Sequence, residues 1–272
     1  MSQRRDFESF FRGRATDYAR TDTFDDADWA WEHLRRDPAY RRDYVASRAR
    51  LSKTITHVSG ARILRPRGCQ RNAAKWGMVC LADPSKTARD TPVFWANRSP
   101  NLLVEAAARR MSEDSEPPDL DPTVRSFIAA ILYGTGVQVA LVRVADSTLN
   151  LVIEGANIVL VPVRLRFRID GFATLSERVK ALQALNAARR IPAQMARKPS
   201  RPRDQTLRKR GLVALDCKLL GGSLQDTAKV FRVLGMTRLT WSVSGDEALK
   251  KQVWRARNAG LKLMRGGYRK LL

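Results

Sequence analysis

Only three cysteines and two histidines occur in 272 residues, and their positions remove several classes of chemistry. Cys69, Cys80 and Cys217 are odd in number and widely spaced, which fits neither a disulfide framework nor a CxxC metal clip, so they read as reduced thiols. His33 and His57 have no cysteine or second histidine at zinc-ligand spacing. With imidazole so scarce the usual general base is lacking, and no GxSxG, Walker loop, HExxH or strand-to-helix GxGxxG is present. No enzymatic activity, cofactor or metal is expected. No apolar run reaches the roughly 18 to 20 residues needed to cross a bilayer, and the opening MSQRRDFE is too acidic and too polar for a signal peptide. The expected location is the cytoplasm.

Acid is the next shortage. Asp and Glu number 27 against 50 Lys and Arg, a formal net charge of +23, and an excess of that size seeks a polyanion, by default nucleic acid at the nucleoid. A hydrophobic fraction of 44% with six Trp excludes a disordered basic tail, which lacks the apolar area to offset chain entropy. The charge is concentrated at one end. From Pro199 to Leu272 there are seventeen Lys and Arg against five Asp and Glu, a net +12, leaving +11 for the other 198 residues.

A chain of this length is expected to hold two domains, and its patterning points to an α+β fold with an amino-terminal helical region, a small antiparallel sheet in the middle and a carboxy-terminal three-helix domain of helix-turn-helix type. The expected divisions are residues 1–111, an acidic, proline-rich linker at 112–122, the sheet with flanking helices at 123–198, and the DNA-binding end at 199–272. Residues 23–51 read as a helical hairpin, capped by Thr23 or Asp25 and then by Asp37 before Pro38. Asp25, Asp26 and Asp28 could hold Mg²⁺ in a nuclease, but acids at a helix N-terminus are read as caps. Trp29 and Trp31 could stack on bases, but Trp31 and Leu34 share a face and are read as packing against the face of Tyr40, Tyr44 and Leu51. Between 60 and 110 no element is assigned.

FIAAILYGTG, from Phe127, reads as a short helix ended by glycine. VQVALVRV (137–144), LNLVIEG (149–155) and VPVRLRFRIDG (161–171) read as consecutive antiparallel strands. In the last, Val163, Leu165, Phe167 and Ile169 alternate with Arg164, Arg166 and Arg168, which either touch phosphate or form a solvated face; the second is favoured. A helix is expected from about Leu175 to Arg190, with Val179, Leu182, Leu185 and Asn186 on one stripe, then a basic connector to Gln205.

In the basic end Leu212, Leu215 and Leu219 fall at i, i+3 and i+7 before Gly221-Gly222, which reads as a glycine cap. Ser223 and Asp226 form a capping box for a second helix with Leu224, Ala228 and Phe231 inward, closed by Gly235. The last helix carries the clearest signal. Leu249, Val253, Ala256, Gly260 and Leu263 repeat at spacings of four and three, and Lys251, Arg255, Asn258, Lys262 and Arg265 repeat the same way about 200° around the axis. Lys250, Trp254 and Arg257 flank them. Beyond its first turn this helix has no acid, whereas solvated faces usually mix signs, so a phosphate partner is expected. Candidate DNA contacts are Arg238, Thr240, Lys250, Lys251, Arg255, Arg257, Lys262, Arg265 and Arg269. Tyr268, Leu271 and Leu272 are expected to fold back on the core, leaving Arg269 and Lys270 outside.

Four stretches carry a family likeness: WAWEHLRRDPAYRRDY (29–44), ADPSKTARDTPVFW (82–95), GGSLQDTAKVFRVLG (221–235) and the terminal GGYRKLL. They resemble the two-part regulators of proteobacterial integrative and conjugative elements, the FseA-type excision activators, whose carboxy-terminal half also occurs alone in QseM-type antiactivators. The resemblance implies a regulator-like amino-terminal domain and a helix-turn-helix-variant DNA-binding domain. It also implies transcriptional activation of a recombination directionality factor gene, and so of excision and horizontal gene transfer. Promoter DNA, RNA polymerase and a small antiactivator are the partners it implies, and a related activator controls type VI secretion genes. The other class in view is an interaction module, either an architectural recombination accessory factor or an antiactivator. A homo-oligomer on a repeated site is the general prior for regulators.

Overall fold

The computed structural model describes residues 6–47, 53–56, 62–65, 71–96, 98–111, 117–120, 127–132, 136–144, 147–190, 202–239, 241 and 247–272. The fold is α+β, and it groups the chain otherwise than in sequence order: the described residues through Asp37 join those from Pro202 to Leu271 in one compact unit, and the intervening ones form another. Of the 112–122 segment the described residues are 117–120, and there Leu120 is buried and bridges Val163 in antiparallel fashion.

The first unit is helical. Helices α1 (Phe7–Arg12), α2 (Ala15–Ala19) and α3 (Asp26–Leu34) come from the amino terminus, and α7 (Pro202–Leu219), α8 (Leu224–Val233), α9 (Glu247–Met264) and a 3₁₀ turn (Gly267–Leu271) from the carboxy terminus. Helix α3 begins as its acids require, with the Asp25 side chain accepting from the Asp28 backbone N–H and the Asp28 side chain accepting from Asp25. Asp26 pairs with Arg208, so each of the three carboxylates is engaged in caps or ion pairs. Trp29 and Trp31 are fully buried, and the Trp29 Nε1–H donates to Gln205 Oε1 at 2.8 Å while the Gln205 amide donates to the Phe24 carbonyl.

Helix α7 differs from its expected one-sided stripe. Gly211 through Leu215 and Cys217 are buried, which covers its whole circumference, while Leu219 is 44% exposed. The reason is that α7 has neighbours on several sides, with α3, α8 and α9 all packed on it. Helix α7 also starts at Pro202, within the segment read as a connector, and buries Gln205 there.

At the centre of this unit Asp216 accepts from Arg36 Nη2 at 2.9 Å and from the Tyr18 hydroxyl at 2.8 Å, and Arg36 also donates to Glu32 Oε2 at 2.7 Å. Burial opposes charge on both partners. The facing charges override it, holding the Asp216 carboxyl below its ordinary range and the Arg36 guanidinium above its own. Burial, reinforced by the Asp216 charge, pushes the Tyr18 phenol up.

His33 is fully buried beside this group. Its Nδ1 lies 2.9 Å from the Trp29 carbonyl, which only accepts, so Nδ1 carries the proton. Burial pulls its pKa down to about 4. Below an unfolded pKa of about 6.5 the unfolded chain binds a proton that the folded chain refuses until about pH 4, so stability falls across that window by about 3 kcal/mol. The expected urea midpoint drops between pH 7 and pH 4.5, and His33→Gln, although less stable at neutral pH, flattens that slope. A parallel slope in both proteins would assign the acid sensitivity elsewhere.

The second unit is built on a mixed seven-stranded sheet in the order β1-β2-β4-β5-β6-β3-β7: β1 (Lys53–Thr56), β2 (Arg62–Arg65), β3 (Leu103–Arg110), β4 (Phe127–Leu132), β5 (Val137–Val144), β6 (Ser147–Gly155) and β7 (Val163–Arg168). The expected small antiparallel sheet is thus larger and mixed. Strands β5 and β6 pair as read, but β3 inserts between β6 and β7, parallel to the first and antiparallel to the second.

FIAAIL is a strand rather than a helix. It is apolar throughout because both sheet faces are covered there: Ala130 sits in the core shared with Leu149, Leu151 and Leu185, and Ile131 in the other core with Leu64 and Phe94. A continuous short apolar run looks alike in a doubly covered strand and a buried helix. Helix α4 (Pro38–Ala46) opens at Pro38 as read and ends before Leu51, which lies outside the described residues. The Tyr40 ring meets Trp76 edge-on at 5.5 Å and its hydroxyl donates to the Ala82 carbonyl. A short helix α5 (Arg71–Lys75) precedes Trp76, and α6 (Leu175–Arg190) covers one sheet face with Ala181 and Leu185 buried, Leu182 half-buried and Val179 exposed. Cys80 and Cys217 are buried, and Cys69 lies outside the described residues. Among the described residues no helix is long and apolar enough to cross a membrane.

Candidate nucleic-acid interface

Helices α7 and α8 are joined through Gly221, Gly222 and Ser223. Gly221 has φ of +90°, a left-handed conformation that closes α7, and the Gly222 N–H donates to the Cys217 carbonyl. The Ser223–Asp226 capping box then starts α8 with both reciprocal bonds in place. Ala228 and Phe231 are buried as read, with Thr227 and Val230 beside them. Lys229 and Arg232 on the outer side of α8, and Arg238 beyond it, are exposed.

Helix α9 crosses α7 at two glycines. A methyl group on Gly260 would lie 2.3 Å from the Gly211 carbonyl oxygen, whereas one on Gly211 would meet only ordinary contacts at 3.6 Å. The asymmetry gives a sharp expectation. Gly260→Ala forces the two helices apart and destabilises the protein by about 3 kcal/mol, while Gly211→Ala, which also gains helix propensity, is neutral or stabilising. Thermal melts of the two single variants check this, and equal losses would refute the crossing geometry.

With its inner row seated on that crossing, α9 buries Leu249, Val253, Ala256, Gly260 and Met264. Met264 replaces the expected Leu263, which is half-buried. Lys251, Arg255, Asn258, Lys262 and Arg265 are all exposed, as their spacing required. Among the described residues no carboxylate pairs with those four cations. The only acid on α9 is Glu247, whose partner is Lys250 at 3.4 Å. Trp254 stands among the cations with 56% of its surface exposed.

The other candidates divide. Arg257 turns inward: its Nη2 donates to the Gly222 carbonyl at 3.1 Å and to Thr227 Oγ1 at 3.0 Å, tying α9 to the start of α8. Burial lowers its pKa from the ordinary arginine value. Lys250 is half-buried between Glu247 and the Trp241 ring, whose centroid is 6.0 Å from its ammonium. Arg238 and Arg269 are exposed, and Thr240 lies outside the described residues. Tyr268 is fully buried in the terminal 3₁₀ turn, with Leu271 and Leu272 half-buried and Arg269 and Lys270 outside, as the tail pattern required. The residues missed by sequence reasoning are Lys229 and Arg232 on α8. Their signal was present, since each directly follows one of the inward positions, Ala228 and Phe231.

A packed helical unit that displays an unbroken cationic helix face defines a polyanion-binding protein. Residues 13–80 match a family model described as a proteobacterial transcriptional regulator-like domain, and residues 168–272 match one described as a T6SS transcription factor DNA binding domain. No curated protein and no solved structure matches the chain. The molecule is a DNA-binding transcription regulator.

Proposed function

We propose that this regulator is an activator that grips promoter DNA chiefly through the outer face of α9 and raises transcription of genes for excision and transfer of an integrative and conjugative element, such as a recombination directionality factor gene. The observation that carries the DNA-binding mode is the row Lys251, Arg255, Lys262 and Arg265, exposed and without acid partners among the described residues. From Lys251 to Arg265 the row runs about 21 Å along the helix axis, matching about six base-pair steps of duplex. Trp254 beside it offers an apolar edge of the kind that meets a thymine methyl. The target operon and the activating role rest on the likeness of residues 29–44, 82–95, 221–235 and 266–272 to excision activators. RNA polymerase and a small antiactivator are the protein partners that go with that role, and the chain acts without catalytic chemistry.

The likeness of residues 168–272 to a T6SS transcription factor DNA binding domain favours a second reading for the target, type VI secretion genes. Genome-wide mapping of occupied sites, with a reporter fused to each enriched promoter, tests both. The proposed activator occupies an excision-gene promoter and raises its reporter when expressed alone. Occupancy of secretion promoters would shift the target, and excision altered with no change in any reporter would make the protein an architectural factor.

A further inference from the structure

The outer row of α9 changes chemistry at its centre. Lys251 and Arg255 on one side and Lys262 and Arg265 on the other are cations, but the residue between the pairs is Asn258, exposed like them. Among the described residues the α9 side chains that make hydrogen bonds are Lys250 and Arg257, and the Asn258 amide takes no part. Asparagine is a weak helix former, and nothing local in the helix calls for it there. One turn earlier stands Trp254, with 56% of its surface in solvent. Four residues put the two side chains about 40° apart around the axis, one above the other on the same face.

Their place along the helix separates them from the end cations. Asn258 is the midpoint of the row, seven residues from Lys251 and seven from Arg265, or about 10.5 Å each way. The major groove of a B-form duplex is about 12 Å wide. A helix set across it therefore carries Lys251 and Arg265 past the groove edges to the two backbones, and offers the base edges what lies within about 6 Å of its midpoint, the span from Trp254 to Lys262. Of the exposed side chains in that span, Arg255 and Lys262 suit guanine or phosphate. Asn258 and Trp254 suit an A·T pair. An asparagine carbonyl accepts from adenine N6–H while its amide N–H donates to adenine N7, and an apolar edge packs on the thymine methyl group.

We propose that Asn258 reads an adenine and that Trp254 reads a thymine methyl one or two base pairs away, so that the preferred sites of this regulator carry A·T pairs at the centre of the α9 contact. This rests on the reading of α9 as the helix that grips DNA, and adds to it the bases selected. The cations supply affinity for any duplex, and these two neutral side chains supply the choice among duplexes.

The test uses the full chain and a library of duplexes with about twenty random positions, bound in dilute buffer and sequenced over successive rounds. A motif containing adenine and thymine is expected. Its strongest duplex is then remade with 7-deazaadenine at single adenines, which deletes the N7 acceptor, and with deoxyuridine at single thymines, which deletes the methyl group. One deazaadenine position should weaken the parent protein by about tenfold and leave Asn258→Ala unaffected. One deoxyuridine position should weaken the parent by about fourfold and leave Trp254→Ala unaffected. Both variants should keep the parent's melting temperature, because both side chains are exposed. The inference is overturned, with DNA binding by α9 left standing, if the library is bound without enrichment, if the base analogues cost nothing, or if their costs persist in the two variants. It is equally overturned if the sequence preference vanishes in Lys229→Gln/Arg232→Gln and survives in Asn258→Ala, which would make α8 the reading helix. Displacement of the duplex by single strands of the library would overturn it too, since Trp254 would then stack on unpaired bases. A parent protein that retains no duplex at all removes the DNA-binding reading along with it.

Discussion

Asp216→Ala is expected to unfold or nearly unfold the helical unit, with a loss of about 3 to 5 kcal/mol in denaturant melts. The side chain is held by two donors from the far end of the sequence, Arg36 and Tyr18, and its removal leaves the Arg36 guanidinium buried with Glu32 as its remaining carboxylate. That cost belongs to the orphaned charge rather than to the pair's net value. The double variant Arg36→Met/Asp216→Leu should therefore recover a large part of the loss, and a cycle through both singles measures the coupling. Additive losses would show that the pair is not coupled. The sign with pH is fixed by the depressed carboxyl: its contribution is present above the ordinary aspartate range and disappears as pH falls below it, a window more acidic than that of His33. The same contacts explain why a fragment starting at residue 199 should not fold alone. It would leave both Asp216 and Gln205 without their amino-terminal partners. Adding a peptide of residues 1–37 in trans should restore its circular dichroism.

Local signals were legible in the sequence wherever a single element determined the outcome. The Asp25 cap, the Ser223–Asp226 capping box, the Gly221 cap and the two opposed rows of α9 depend on residues within about four positions of each other, and each forms as its spacing demands. Pairings between distant segments were not legible. The amino-terminal helices complete the burial of α7, and α7 alone displays three leucines that mark only one of its buried sides. Strand β3 enters between β6 and β7, yet its Ala-rich sequence carries weak strand propensity and gives no hint of its neighbours. The cationic site was legible for the same reason as the caps, with one informative failure. Arg257 belongs by periodicity to the flanking row with Lys250 and Trp254, but the open carbonyl of Gly222 and the Thr227 hydroxyl draw it inward. Charge pattern locates a face. Only the neighbouring helix decides which of its members stay outside.

Replacing Lys251, Arg255 and Lys262 together by Gln should abolish detectable promoter binding under conditions where the parent protein binds, a loss of about a hundredfold or more in dilute buffer, with the melting temperature unchanged. All three are exposed and have no carboxylate partner among the described residues, so their removal breaks no folded-state interaction and relieves like-charge repulsion along the helix. If each neutralises one phosphate, the dependence of log affinity on log salt should flatten by about three units, because each contact contributes about 0.9. The inward Arg257 provides the contrast. Arg257→Gln should lower stability by loosening the tie between α8 and α9, while leaving the salt slope nearly unchanged. Lys229→Gln/Arg232→Gln on α8 then assigns reading of the bases. If α8 enters the groove as the second helix of a helix-turn-helix, this pair changes which sequences are preferred while the α9 variant weakens all duplexes alike; if α9 enters, the two behaviours exchange. A triple α9 variant that still shifts promoter DNA with the parent's salt slope would remove α9 from the interface.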